Sequence, residues 1–286
     1  MAGYRFCRSD DIPLLVAAHN ACWVPHFGAD SAITVDDFKR GIREIGLWSS
    51  SCMVAFEGDE PIGVLIAAKR DREANYVHRL AVKPGWARQG HGRHLLTSLV
   101  DKAAILGPQR VVAEIPLAWA EARGFFERSG FVAEGHYVDL VREGRTPPPA
   151  SRASDPRAEL VIPISLDEVV DSGAFAMGAR RAWCRTEASL RARATELAGF
   201  AVATDCIEAY VLFWTSRDGT RLEVMAMGAA DPVQGEALLA LLLERVATNG
   251  CPIAVPMIAE DETGFAALTT LGLRRDREAI GYVARR

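Results

Sequence analysis

The sequence predicts an α/β (α+β) chain made of two related domains, and three observations carry the prediction. The first is an ordered run of short apolar strands and amphipathic helices over residues 1–143. The second is the stretch 144–157, Gly-Arg-Thr-Pro-Pro-Pro-Ala-Ser-Arg-Ala-Ser-Asp-Pro-Arg, whose prolines mark an extended, stiff linker. The third is an internal repeat. Laid over itself at an offset of 142, the chain pairs Leu80 with Leu222, Val82 with Val224, Leu96 with Leu238, Leu99 with Leu241, Val111 with Ile253 and Gly130-Phe131 with Gly272-Leu273, without a gap. One register across strand, helix, strand and a terminal Gly-apolar pair marks 158–286 as a diverged copy of 1–143. A length of 286 residues, 49% of them hydrophobic, suffices for two cores of ordinary size.

The elements of the first domain follow in order. Residues 4–8 read as a short strand, and Ser9-Asp10-Asp11 caps a helix over 12–21. Trp23-Val24-Pro25-His26-Phe27-Gly28 is a loop. Thr34 with Asp37 three residues on is a capping signal for a helix over 35–45. Apolar strands over 52–56 and 62–69 flank Glu57-Gly58-Asp59-Glu60, a hairpin connection. A strand over 76–82, a helix over 90–105, a strand over 111–115, a helix over 119–128 and a closing strand over 131–141 complete the half.

The stretch that carries chemistry is His78 to Arg93: a strand ending at Pro84, a turn, and Gly90-His91-Gly92 opening a helix. A helix start presents unpaired N–H groups and the positive end of a dipole, and glycines let a pyrophosphate reach the backbone. Arg88 and Arg93 add cationic donors, with Gln89 between Arg88 and the first glycine. The P-loop requires Lys-Ser/Thr after its last glycine, where Arg93-His94 stands. The dinucleotide fingerprint requires a third glycine, where Leu95 stands. Both fail.

What remains resembles motif A of the GNAT superfamily of acyl-CoA N-acyltransferases: a strand ending in Val-x-Pro, then a basic Gly-x-Gly turn entering a helix. Ala122 to Phe131, with its Gly130-Phe131 strand start, is similar to that family's last helix. The resemblance implies a mixed, mostly antiparallel sheet in each half, flanked by helices, with a splayed strand pair for acyl-CoA. It places the pantetheine arm of acetyl-CoA, or another acyl-CoA, along Leu80, Ala81 and Val82, the pyrophosphate on Arg88, Gln89, Gly90, His91, Gly92 and Arg93, and Phe126 beside the cofactor. It also implies direct transfer of the acyl group to a primary amine of a small molecule or peptide, without an acyl-enzyme.

Such a transfer needs a base for the amine and an acid for the leaving thiolate. His78, on the cradle strand and of a type that titrates near neutrality, is one candidate base, and Glu114 on the next strand is another. Each also has a plain structural reading, as a strand histidine and as a solvated carboxylate. Trp23 and His26 lie in the loop that borders the acceptor in the family. Three departures stand out. Ala87 replaces the usual Gln or Arg before the cradle, Trp119 an asparagine, and Phe126 the tyrosine that many members use as general acid. Phe126 cannot donate a proton, which leaves water or another donor such as Tyr137.

In the ungapped register Gln89, Gly90 and Gly92 fall on Asp231, Pro232 and Gln234, so the second half is expected to have lost the cradle. A net charge of −4 gives no general attraction to nucleic acid or to an anionic membrane. The six cysteines are scattered, with no Cys-x-x-Cys and no His pairs at ligand spacing, so no metal is expected. No signal-like or membrane-length apolar run is present, and the expected location is cytoplasmic. Homodimerisation stays open. The alternative function is an acyl-CoA-binding sensor or scaffold without turnover.

Overall fold

The computed structural model describes residues 2–70, 74–108, 110–144, 156–176, 181–247 and 250–284. Residues 145–155, most of the expected linker, lie outside them. Two compact units result, and neither is one continuous piece of chain. The first comprises Met1–Ile115, Trp119–Glu134 and Gly281–Arg286, and the second Pro116–Ala118 and Gly135–Ile280. The boundary expected at 143 assigns the whole closing strand of the first half to the first domain. By packing, that strand passes into the second unit at Gly135, and the end of the chain returns to the first. Repeated halves offer similar sheet edges, so a closing strand can add to either copy, and the repeat pattern alone does not choose.

In the first unit, β1 (Gly3–Phe6) precedes α1 (Ile12–Cys22), α2 (Val24–Phe27) and α3 (Val35–Ile45). Thr34 and Asp37 form a reciprocal capping box on α3, and Gly46 ends it in the left-handed region, as the capping signal predicts. β2 (Met53–Glu57), β3 (Glu60–Arg70) and β4 (Ala74–Val82) follow, then α4 (His91–Leu106), β5 (Val111–Pro116), α5 (Ala120–Arg128) and β6 (Phe131–Arg142). Within the unit the strand order is β1-β2-β3-β4-β5. All of these pairs are antiparallel except β4/β5. Leu95, Leu96, Leu99 and Ala103 of α4 bury their stripe against the sheet, as their spacing requires.

The second unit holds β7 (Val161–Pro163), α6 (Leu166–Asp171), α7 (Glu187–Arg191), β8 (Ala198–Ala203), β9 (Ile207–Thr215), β10 (Leu222–Ala229), α8 (Pro232–Val246), β11 (Ile253–Ala259), α9 (Phe265–Thr270) and β12 (Arg274–Ala284). Its sheet runs β12-β6-β11-β10-β9-β8-β7, with β10/β11 parallel. Leu238, Leu239, Leu242 and Leu243 of α8 anchor a core with Val211, Val224, Val255 and Ile258.

Both units contain a strand fork. β4 and β5 pair only at Asn75 with Val111 and Tyr76 with Val112, after which β4 continues on β3 alone. β10 and β11 pair only at Leu222 with Ile253 and Glu223 with Ala254. Just past each fork the antiparallel ladder skips one residue, His78 in the first unit and Met225 in the second. These pairings correct the ungapped repeat. Val111 does match Ile253 at 142, but Asn75 matches Leu222 and His78 matches Met225 at 147. The missing residues come out of the connection after the fork strand, which is 83–90 in the first unit and only 230–231 in the second. Short Val/Leu/Ala strands match themselves at several offsets, whereas hydrogen-bond register and the bulge admit one.

Candidate functional site

Past Val82 the chain makes one 3-10 turn at Pro84–Trp86 and extends at Ala87. Arg88 then adopts a left-handed φ of 65° and Gly90 one of 92°. Gly90 reaches this region without strain, whereas a residue with a Cβ, such as Arg88, is uncommon there. The turn delivers α4 with no side-chain cap and no acidic residue in its first turn. Its first backbone bond runs from the His94 N–H to the Gly90 carbonyl, leaving the amides of His91, Gly92 and Arg93 at the open end. Arg88, Gln89, Gly90 and Arg93 are exposed around it. A Cβ added at Gly92 would lie 3.5 Å from Phe125 Cζ and 3.6 Å from Val82 Cγ2, ordinary contact distances, so the protein's own packing does not demand glycine there.

Behind this cradle, Leu80 and Val82 are half-buried and Ala81 is buried on β4. The stretch expected as a loop forms the short helix α2, from which His26 Nε2 donates to the Val82 carbonyl at 2.7 Å and so caps the cradle strand. Trp23 stacks on Phe27 with ring centroids 4.3 Å apart, and Trp119 lies 4.8 Å from Phe27 and edge-on to Trp23 at 6.4 Å. At the mouth of the fork, the Tyr76 hydroxyl donates to Glu114 Oε2 at 3.2 Å. His78 lies beside Tyr76, 6.2 Å between centroids. Burial, then the charge of Arg79 and the nearby His19, push the His78 pKa down to about 3. It is therefore neutral at physiological pH and does not titrate near neutrality as its residue type predicts.

Residues 15–131 match the sequence profile of the acetyltransferase (GNAT) family. That match covers less than half of the chain, and over it the chain is similar to the family. Over 99% of its length, the whole chain superposes on a GCN5-related N-acetyltransferase from Sphaerobacter thermophilus with a TM-score of 0.65, 16% identity and 95% of that chain covered. A tandem GNAT protein from the clavulanic acid biosynthesis pathway gives a TM-score of 0.62 at 15% identity, covering 99% of this chain and 98% of that one. A GCN5-related N-acetyltransferase from Kribbella flavida gives 0.64 at 14% identity, with 99% and 70% covered. At such identities the structural likeness shows the fold, here the tandem arrangement. No curated protein sequence matches the chain.

Three expected site residues stand elsewhere. Phe126 is 4% exposed and packs edge-on against Phe125 and Phe131 and beside Tyr282, so it is a core residue, and Phe125 is the ring that faces Gly92. The i and i+1 positions of a helix face different ways, and sequence similarity does not reveal which one turns outward. His91 also turns inward, its Nδ1 2.7 Å from the Tyr4 hydroxyl, and offers the cradle only its backbone. Tyr137 is 4% exposed in the second unit, packed with Ala182 and Ala259 through β6/β11 pairing. The closing strand carries it there.

Two polar residues beside the site escaped the sequence reading. Arg79, next to the bulge, places Nη1 2.9 Å and 3.3 Å from the two ring nitrogens of His19 and lies over the Trp23 ring at 5.5 Å. Tyr76 supplies a hydroxyl on the fork itself. Alternation predicts only that a strand has two faces, and the bulge at His78 resets which residues share one.

The second fork differs in what fills it. Arg185, fully buried, donates from Nη1 to the Val224 carbonyl of β10 at 2.9 Å and to the Pro256 carbonyl of β11 at 3.3 Å, and from Nη2 to Glu262 Oε1 at 2.5 Å. The connection into α8 has room for neither left-handed turn nor glycines, and Asp231 Oδ1 caps α8 by accepting from the Gln234 N–H at 3.4 Å. Among the described residues no group of His, Cys, Asp and Glu is arranged to hold a metal.

Proposed function

We propose that the chain is an acetyl-CoA-dependent N-acetyltransferase acting on a primary amine of a small molecule or peptide, with one acyl-CoA per chain bound by the first unit. One observation carries the reading: α4 opens uncapped behind a left-handed Gly90, beside a strand edge that, among the described residues, pairs with no strand past Tyr76 and carries only the His26 bond to Val82. An anion at such a helix start is favoured by about 0.3–1 kcal/mol from the dipole alone, to which Arg88 and Arg93 add charge-assisted bonds. Along the unpaired edge of Leu80 to Val82, backbone groups are placed to pair with an extended amide chain as an added strand would.

In the reaction, the amine nitrogen forms a bond to the thioester carbon as the carbon–sulfur bond breaks. The amine proton passes to the Glu114 carboxylate, directly or through Tyr76, and the thiolate takes a proton to leave as a thiol. We assign Tyr76 the hydroxyl role that Phe126 cannot fill and Tyr137 is not placed for. His78, held neutral, is a polar wall of the fork that offers hydrogen bonds and does not take up the amine proton. Trp23 and His26 border the acceptor together with Phe27 and Trp119. A cytoplasmic setting is part of the proposal, supported by six unpaired cysteines. Among the described residues no helix is long and apolar enough to cross a membrane.

A second reading, CoA binding without turnover, is favoured by the one substitution at Phe126. Titration with CoA followed by a thiol-release assay against amines, amino acids and aminoglycosides separates them. One CoA per chain with thiol release supports the enzyme. Tight binding with no release across the panel supports the sensor, and two equivalent sites per chain would mean that the second unit has been misread.

A further inference from the structure

Arg79 is a guanidinium without a counter-ion. Among the described residues no carboxylate lies within ion-pair distance of it, although 15 such pairs occur elsewhere in the chain. Its surroundings are His19 on α1, which is fully buried, and the face of Trp23. His19 carries no compensating charge. Burial, and then Arg79 itself, lower its pKa to about 4. With His19 Nε2–H donating to the Ser31 carbonyl at 3.2 Å, Arg79 Nη1 donates to Nδ1 at 3.3 Å, which likewise requires that nitrogen to be unprotonated. Half-buried cations of this kind are costly unless something negative arrives to pair with them. At the equivalent position past the second fork stands Ala226, buried and apolar, so the cation is not a requirement of the fold.

The location indicates what arrives. Arg79 lies three residues back along β4 from Val82, about 10 Å at the rise of a strand, on the side away from the cradle. If the cradle holds a pyrophosphate, that distance is toward the reacting end of the arm, where Trp23 and the loop after α1 border the acceptor. Arginine is suited to a carboxylate because its planar fork presents two parallel donors, and Nη1 engaged with His19 still leaves Nη2 and Nε.

We propose that Arg79 binds a carboxylate on the reacting partner, which makes the acceptor an amino acid or a related amino carboxylate. The inference rests on the acyl-transfer reading and narrows its substrate class. The same chemistry could also sit on a dicarboxylic acyl chain.

The test is a binding measurement that needs no turnover. The full chain, with CoA present, is titrated with N-acetyl amino acids and with the matching N-acetyl amino amides, which lack only the charge. Wild type should bind at least one acid about tenfold or more tightly than its amide, in line with hydrogen bonds to charged groups. Arg79→Gln should abolish that difference, and Arg79→Lys should keep part of it, while CoA affinity stays unchanged in all three. Equal binding of every acid and amide by wild type overturns the assignment, whether or not the variants fold, and so does a preference that survives in Arg79→Gln. If instead succinyl-CoA outbinds acetyl-CoA in an Arg79-dependent way, the carboxylate belongs to the acyl chain and the acceptor assignment falls. The CoA titration reports separately on the acyl-transfer reading, which fails if wild type binds no CoA.

Discussion

In the first unit β4 and β5 part after Tyr76 and Val112, and the gap is lined by half-buried polar side chains, Tyr76, His78, Arg79 and Glu114. In the second unit β10 and β11 part after Glu223 and Ala254, and the Arg185 guanidinium spans the gap from one strand's carbonyl to the other's. Parting two strands strips both of ladder partners, and buried backbone groups must find others. The second unit supplies the donors from within, with Glu262 as counter-ion. The first supplies only the His26 bond to Val82 along its cradle strand and leaves the rest of that edge to an incoming chain. One fork is therefore closed by a side chain, while in the other, among the described residues, no side chain spans from one strand's carbonyl to the other's.

The largest expected effect comes from breaking the closure. Arg185→Leu would leave Glu262, 3% exposed, as an unpaired buried carboxylate and strip a donor from two carbonyls. Loss of one partner of such a pair costs about 3–5 kcal/mol. Urea unfolding should show a drop of that size, and adding Glu262→Leu to the same chain should recover part of it. A drop under about 1 kcal/mol would mean that the bridge does not hold the second fork together.

The open fork is sharpened by Gly92. Gly92→Glu places a carboxylate at the helix start and should weaken CoA binding about 100-fold or more in calorimetry, with thermal stability nearly unchanged. Gly92→Ala is the control, since its Cβ meets only ordinary contacts at 3.5 Å or more. If the alanine variant binds CoA as wild type does, close approach of a ligand to this backbone is excluded.

A smaller effect separates the two forks by acid. His19 and His78, with folded pKa values of about 4 and about 3 against 6.5 unfolded, bind protons more readily in the unfolded chain. The stability they contribute is complete above pH 6.5 and is lost as pH drops through 4. The loss should be traced to the first unit by a flatter stability–pH curve in His19→Gln. A curve identical to wild type would show that folding does not lower the His19 pKa.

Much of this was readable in advance because it depends on local rules. The Thr34/Asp37 box, the Glu57–Glu60 hairpin and the uncapped Gly90 turn are set by residues within a few positions of one another. The cradle could therefore be located from its own glycines. Its inner wall could not, since whether Phe125 or Phe126 faces Gly92 depends on the rotation of α5 against the sheet.

The sequence by itself determined the elements, the repeat and the glycine turn into α4 that the second half lacks, because helix starts, turns and apolar periods are short-range properties of the chain. Only the tertiary structure decided that β6 passes into the second unit and carries Tyr137 with it, that the halves align on β4 at 147 and not 142, that Arg185 fills one fork, and that Arg79 meets His19 and Trp23 without a carboxylate. Each of these joins residues far apart in sequence through hydrogen-bond register or burial. Those constraints belong to the packed sheet, and a linear pattern of apolar residues is compatible with several of them.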